Sequence, residues 1–182
     1  MKQIKQFQVA FRWFIGWKHK SAFLVLSLVL LIVSCSKPSP QFQENFAVPG
    51  GAWAASFQPT FHFDIDDTAA AYQIQLLIRH TDIYPFSNIW LTMDSKAPGD
   101  TTWGKVRVEV PLAASSGQWL GRGMGEIVEQ RVPITSLDRP AFFPKKGRYT
   151  VRLTQDMRRN PLPEVLTVGI RLEKLPPFKK GN

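Results

Sequence analysis

The sequence predicts an all-β fold, a single antiparallel β-sandwich of about seven to eight strands behind an N-terminal leader. Three observations carry that reading. From about residue 60 to near the C-terminus, apolar side chains recur at every second position. Nowhere in that span does a 3.6-residue period persist long enough for an amphipathic helix. Clusters of Gly, Pro, Asp, Asn and Ser interrupt the alternation at short intervals, as turns do. At 182 residues the chain is sized for one ordinary domain, and its single cysteine excludes an internal disulfide and a four-thiolate metal site.

The first strand expected in this span runs from Thr60 to Ile65 and ends at Asp66-Asp67-Thr68. Next, Tyr72, Ile74, Leu76 and Ile78 define one face, with Gln73, Gln75 and Arg79 opposite. Asn88 to Met93 is a less regular strand, closed by Ala97-Pro98-Gly99-Asp100. Val106, Val108, Val110 and Leu112 then alternate with Lys105, Arg107 and Glu109, up to the Ser115-Ser116-Gly117 turn. Glu126 to Ile134 is another irregular candidate. After Lys145-Lys146-Gly147, Tyr149, Val151 and Leu153 alternate with Arg148, Thr150, Arg152 and Thr154. Beyond Asn160-Pro161, Leu166, Val168, Ile170 and Leu172 alternate with Thr167, Gly169 and Arg171. A strand with one face on a core and the other in water requires this pattern. Pro59 and Pro133 suit strand ends or edges, where a missing N–H breaks no ladder.

The formal charge of +9 is unevenly spread. Lys2, Lys5, Arg12, Lys18 and Lys20 precede any acid, leaving 18 of the 23 bases against all 14 acids in the rest of the chain. Without a long basic run, that mild surplus argues against a nucleic-acid partner. After Lys18-His19-Lys20, the stretch from Ala22 to Val33 is apolar apart from Ser27. Twelve helical residues span about 18 Å, short of a bilayer core of about 30 Å, so the segment reads as a signal peptide over residues 1–34. Cys35 follows Ser34 directly, in an order resembling a bacterial lipobox. Cleavage before Cys35, an S-diacylglycerol group on its sulfur and an N-acyl group on its new amine are therefore expected. Several acyl chains together hold a protein on a membrane where one holds only marginally. Ser36-Lys37-Pro38-Ser39-Pro40 continues a short tether over residues 35–41, ahead of a domain over 42–175 and a loose tail over 176–182.

Catalytic chemistry finds little support in the mature chain, and neither an enzyme nor a cofactor is expected. His62 shares a strand face with Asp64 and then Asp66, which reads as a polar face running into an aspartate-rich turn; the EF-hand spacing is absent. No Gly-x-Ser-x-Gly elbow occurs. Asp94 and Asp100 read as surface loop carboxylates. Gly121-Arg122-Gly123-Met124-Gly125 only loosely matches a phosphate loop, because a β-rich segment rather than a helix follows; it reads as an irregular β-connection with close backbone packing. Two segments are candidate interaction sites. Tyr84, Phe86 and Trp90 gather aromatics around a turn, fit for a protein partner or, alternatively, for stacking on a glycan. Arg158 and Arg159 place two guanidinium groups at another turn, suited to carboxylates or phosphates.

Taken together, Phe63 to Asp67, Tyr72 to Leu91, Gly117-Gln118-Trp119-Leu120-Gly121-Arg122-Gly123, Gly147-Arg148-Tyr149 through Arg158, Asn160-Pro161-Leu162 and Val168-Gly169-Ile170-Arg171, behind a lipobox, resemble the gliding motility lipoprotein GldH family of the Bacteroidota over roughly residues 35 to 173. The resemblance implies a cell-envelope lipoprotein without enzymatic activity, associated in gliding relatives with the gliding and type IX secretion machinery. Its partners would be the membrane, through lipid at Cys35, and envelope proteins of that machinery. Cys35 is the one functional position it carries over. The expected location is the outer membrane with the domain in the periplasm, the inner membrane being the alternative.

Overall fold

The computed structural model describes residues 40–176, which form eleven strands and a single 3₁₀ turn at Pro49–Gly51. The expected signal peptide over 1–34, Cys35, residues 36–39 of the expected tether and residues 177–182 of the expected tail lie outside the described residues. In chain order the strands are β1 (Phe42–Ala47), β2 (Ala52–Trp53), β3 (Thr60–Ile65), β4 (Tyr72–Thr81), β5 (Asn88–Lys96), β6 (Gly104–Pro111), β7 (Arg122–Met124), β8 (Ile127–Pro133), β9 (Gly147–Gln155), β10 (Leu162–Pro163) and β11 (Val165–Lys174). One sheet has five strands in the order β1-β11-β4-β8-β7 and another has four in the order β3-β9-β5-β6; β2 and β10 pair separately. Every pairing is antiparallel.

The two larger sheets meet through their apolar faces. Phe61, Phe63 and Ile65 of β3 and Tyr149, Val151 and Leu153 of β9 are buried against Tyr72, Leu76 and Ile78 of β4 and Val168, Ile170 and Leu172 of β11. Rings interlock across the interface: Phe42 lies 5.5 Å from Phe63 and Phe46 lies 5.2 Å from Phe61, centroid to centroid. Each such fully buried side chain contributes roughly 1.5–3 kcal/mol of transfer free energy. The interface fixes strand register, because a slip of one residue would send every inward side chain to the opposite face.

All seven strands expected from alternation are present, but the total exceeds the expected seven to eight. β1 escapes a periodicity search because only Phe42 and Phe46 turn inward from an edge strand, with Glu44 between them exposed. β2 and β10 are two residues long, and β7 is three. Two expected faces also need correction. Val106 is 46% exposed, because edge strand β6 begins beyond the reach of the opposing sheet. In β11 a register shift between Val165 and Thr167 makes Val165 the buried residue and leaves Leu166 only partly covered. At Gly121 an added Cβ would lie 2.6 Å from the Glu129 carbonyl oxygen and 2.7 Å from Val128 Cγ1, the close packing expected of that glycine-rich connection.

This topology sorts every connection to one of two ends. Phe42 pairs with Leu172, and Lys174 with Tyr72, so the chain enters the body at the end that carries segments 66–71, 97–103 and 134–146. Segments 48–59, 82–87, 112–121 and 156–164 lie at the opposite end, one strand length away. Ten residues at about 3.3 Å each separate the ends by roughly 33 Å.

Gly169 lets β1 close onto the sheet, since a Cβ there would collide with the Asn45 side chain and the Glu44 carbonyl oxygen. Gly169→Ala is expected to cost about 2 kcal/mol or more, the upper part of the overpacking range, read as a lower urea midpoint. Adding Asn45→Ala should restore little, because the second clash is with backbone; full recovery would show that the Asn45 side chain alone sets the constraint.

Candidate functional site

The end remote from Pro40 gathers all five sequence-predicted interaction residues, in unequal roles. Tyr84 is buried, and its hydroxyl donates to the Asn88 carbonyl at 3.0 Å. Burial pushes its pKa well above the ordinary 10.0. Phe86 is partly buried, its ring 5.8 Å from that of Tyr84. Trp90 lies on the outward face of β5, with the Arg107 guanidinium 4.1 Å above its ring. Arg107 Nε in turn sits 2.5 Å from Asp156 Oδ2. At exposed sites such stacking is worth about 0.5–1 kcal/mol and an ion pair about as much at most, so their effect is to fix the shape of the surface. Tyr84, Phe86 and Trp90 therefore form no common open stacking platform.

Arg158 and Arg159 are exposed on the turn that follows β9. Below them the turn is tightly held. Buried Gln155 accepts from the Met157 N–H at 2.9 Å and donates to Asn160 Oδ1 at 3.3 Å, while Asn160 Oδ1 also accepts from the Ala55 N–H at 2.9 Å. The Trp90 N–H points at Met157 Sδ at 3.2 Å. Two guanidinium groups are thus presented from a braced segment beside Trp90. Ile83 and Leu120, on neighbouring segments of the same end, are 71% and 54% exposed.

Alternation reveals Arg107 as outward and charged, but only the pairing of β5 with β6, which sets Thr92 opposite Arg107, brings it over Trp90. His80 and Trp119 were similarly hidden. His80 continues the inward face of β4 and is fully buried, its ring 4.6 Å from Trp119 and 5.3 Å from Tyr84. His80 Nδ1 lies 2.7 Å from the Thr81 carbonyl, which can only accept, so Nδ1 carries the proton in the neutral ring. His80 Nε2 and Gln130 Oε1 are both buried without a protein partner, and two acceptors cannot bond each other.

The outward face of the four-stranded sheet holds the residues weighed for acid-base or metal chemistry. His62 is exposed and its Nδ1 lies 3.1 Å from Thr150 Oγ1; Asp64 pairs with Arg148 at 3.4 Å. A cleft of about 460 Å³ lies beside them, lined also by Lys96, Pro98 and Asp100. Among the described residues no group of three or more His, Cys, Asp or Glu is placed to hold a metal ion. Asp94 corrects the expectation of a surface loop carboxylate: it is buried on β5, 3.1 Å from Arg152 and 3.8 Å from Lys105. The Arg152 guanidinium also stacks 4.7 Å from the Trp103 ring. Asp94 is thereby committed to structure.

Residues 41–172 match the GldH lipoprotein family, nearly the whole described body. The chain belongs to that family. It is 27% identical over 164 residues to a gliding motility lipoprotein GldH homolog of Christiangramia forsetii, covering 85% of this chain and 95% of that protein. It is 28% identical over 163 residues to the gliding motility lipoprotein GldH of Flavobacterium johnsoniae, covering 85% and 97%. Among solved structures, a carbohydrate-binding module specific for non-crystalline cellulose is similar at a TM-score of 0.42 and 9% identity, over 78% of this chain and 77% of that one. So distant a likeness decides nothing about ligands. The GldH body thus presents a braced arginine turn and exposed apolar side chains at one end, while Asp94, Asp64 and Asp156 are each held in an ion pair.

Burial lowers the pKa of His80 from 6.5, the Thr81 carbonyl opposing only in part. The unfolded chain therefore takes up the proton first. Stability associated with neutral His80 is fully present above about pH 6.5 and is lost as pH falls through the window below it, towards the depressed folded value. Between about pH 7.5 and about pH 5.5, above most carboxylate titration, the denaturation midpoint is expected to fall with pH. A His80→Phe variant should give a flatter profile; an equal slope would locate the effect elsewhere.

Proposed function

We infer that this chain is a non-catalytic lipoprotein of the cell envelope, a component or accessory of gliding motility and type IX secretion machinery that acts through protein contacts. Residues 1–34 are its signal peptide, 35–41 its lipidated tether, 42–175 its working domain and 176–182 its tail. Cys35 carries the S-diacylglycerol and N-acyl groups, and the domain faces the periplasm from the outer membrane. Family membership supports the envelope role. The observation that carries contact rather than chemistry is the far end: Arg158 and Arg159 are exposed on a braced turn, at the same end of the body as exposed Ile83 and Leu120. A turn whose backbone is already ordered adds little to the cost of bringing two guanidinium groups to carboxylates, which favours a protein partner with an acidic patch.

In a strain lacking the chromosomal copy, Arg158→Glu with Arg159→Glu should abolish most spreading or secreted-protein export while leaving the protein's level and membrane fraction unchanged. Complementation equal to the unaltered chain would remove this end from the function. Cys35→Ala should leave the membrane fraction and fail to complement. A soluble Cys35→Ala protein with full activity would overturn the anchored role.

A further inference from the structure

We propose that the end of the body where the chain enters is itself a membrane-contact face, seated on the bilayer that holds the lipid of Cys35. The inference rests on the lipidated reading of Cys35 and extends it to a second set of residues. Segment 134–146, between β8 and β9, carries Leu137 at 62% exposure and Phe142 at 64%. These are large apolar groups in water, and the segment displays them firmly. Ala141 exchanges two backbone hydrogen bonds with Tyr72, at 2.9 and 2.8 Å. Phe143, next to Phe142, is buried with its ring 5.3 Å from Tyr72, 4.8 Å from Tyr149 and 5.6 Å from Phe63. Chain order therefore plants one phenylalanine in the core and leaves the next one outside.

The occupant follows from distance. Five residue steps separate Cys35 from Pro40, so even a fully extended tether holds Pro40 within about 20 Å of the acylated sulfur. β1 starts two residues later at the same end as segment 134–146. A surface held that close experiences a high effective concentration of lipid, so a shallow contact too weak for a free protein becomes well populated. Charge plays a smaller part. Lys145 pairs with Asp100, Arg148 with Asp64 and Lys174 with Asp67, leaving Arg139, Lys146 and Lys96 against Asp66 and Asp138 among the described residues. Arg139 lies between the two apolar groups in sequence and Lys146 follows them, so both are placed to meet headgroup phosphates as those groups enter the interface. Seated this way, the body directs Arg158 and Arg159 away from the membrane.

Cys35 is the only cysteine, and acylation blocks its sulfur, so a single new cysteine in the full lipidated chain accepts a polarity-sensitive fluorophore specifically. Leu137→Cys, Phe142→Cys, Ile83→Cys and Leu120→Cys would each be labelled and reconstituted into phosphatidylethanolamine and phosphatidylglycerol vesicles containing a doxyl-labelled lipid. Labels at 137 and 142 should be blue-shifted and about threefold more quenched than labels at 83 and 120. Arg139→Cys reports on the same segment if either apolar position disturbs folding. Equal, weak quenching at all positions in protein that floats with the vesicles would overturn the membrane-contact face while leaving the anchor intact. Protein that fails to float and takes label at Cys35 would overturn the anchor itself, and this inference with it.

Discussion

Everything else in the body depends on the seal between the two larger sheets. Phe42 and Phe46 of one sheet meet Phe63 and Phe61 of the other, and the aliphatic side chains of β4, β9 and β11 complete the layer. Side chains that alternate inward and outward can be buried in this way only if each strand keeps its register. Antiparallel pairing then carries every connection to an end. The fold therefore separates two surfaces by the length of a strand, and the proposed lipidated tether would assign them different neighbours. Position along the strand axis, more than any individual side chain, differentiates the functional parts of this molecule.

Much of this was legible in the sequence, for a physical reason. Strands with one wet face and one dry face write their geometry as alternation, and four of them did so plainly while three more did so less regularly. What stayed hidden was what alternation cannot encode. The Phe42–Ala47 strand sits at an edge with two inward residues, and the Ala52–Trp53 and Leu162–Pro163 ladder is too short to have a period. The irregularity between Val165 and Thr167 changes which side chain faces inward without changing composition.

The site was legible in outline and misjudged in detail. Arg158 and Arg159 are exposed on a turn, where Asn160-Pro161 had suggested one. Tyr84 looked equally available, but its hydroxyl is satisfied internally and its ring belongs to the core. Aromatic residues before a strand read alike whether they face solvent or cap a hydrophobic layer; only the opposing segment, here Trp119 beside His80, separates the cases. Asp94 failed for a related reason. A carboxylate can be buried on a strand when a cation on the paired strand faces it, and that pairing with Arg152 joins residues far apart in sequence.

The distribution of unpaired charge follows from the same geometry. Across the sheet faces, bases and acids lie on adjacent strands and pair: Arg79 with Glu129, Arg152 and Lys105 with Asp94, Arg148 with Asp64. Such pairs contribute little to stability when exposed, but they cancel the field over the broad surfaces. A basic chain can therefore lack the continuous positive face that a polyanion would need. Among described bases without an ion pair, Lys96, Arg122 and Arg131 are scattered, whereas Arg158 and Arg159 are adjacent at the far end and Arg139 and Lys146 share a segment with exposed apolar groups at the near one. At the turns some cations still find an acid, as Lys145 does in Asp100, but Arg139, Lys146, Arg158 and Arg159 have no such partner among the described residues and stay free to meet another molecule. The two ends therefore carry the free cations that the proposed membrane and protein contacts would use.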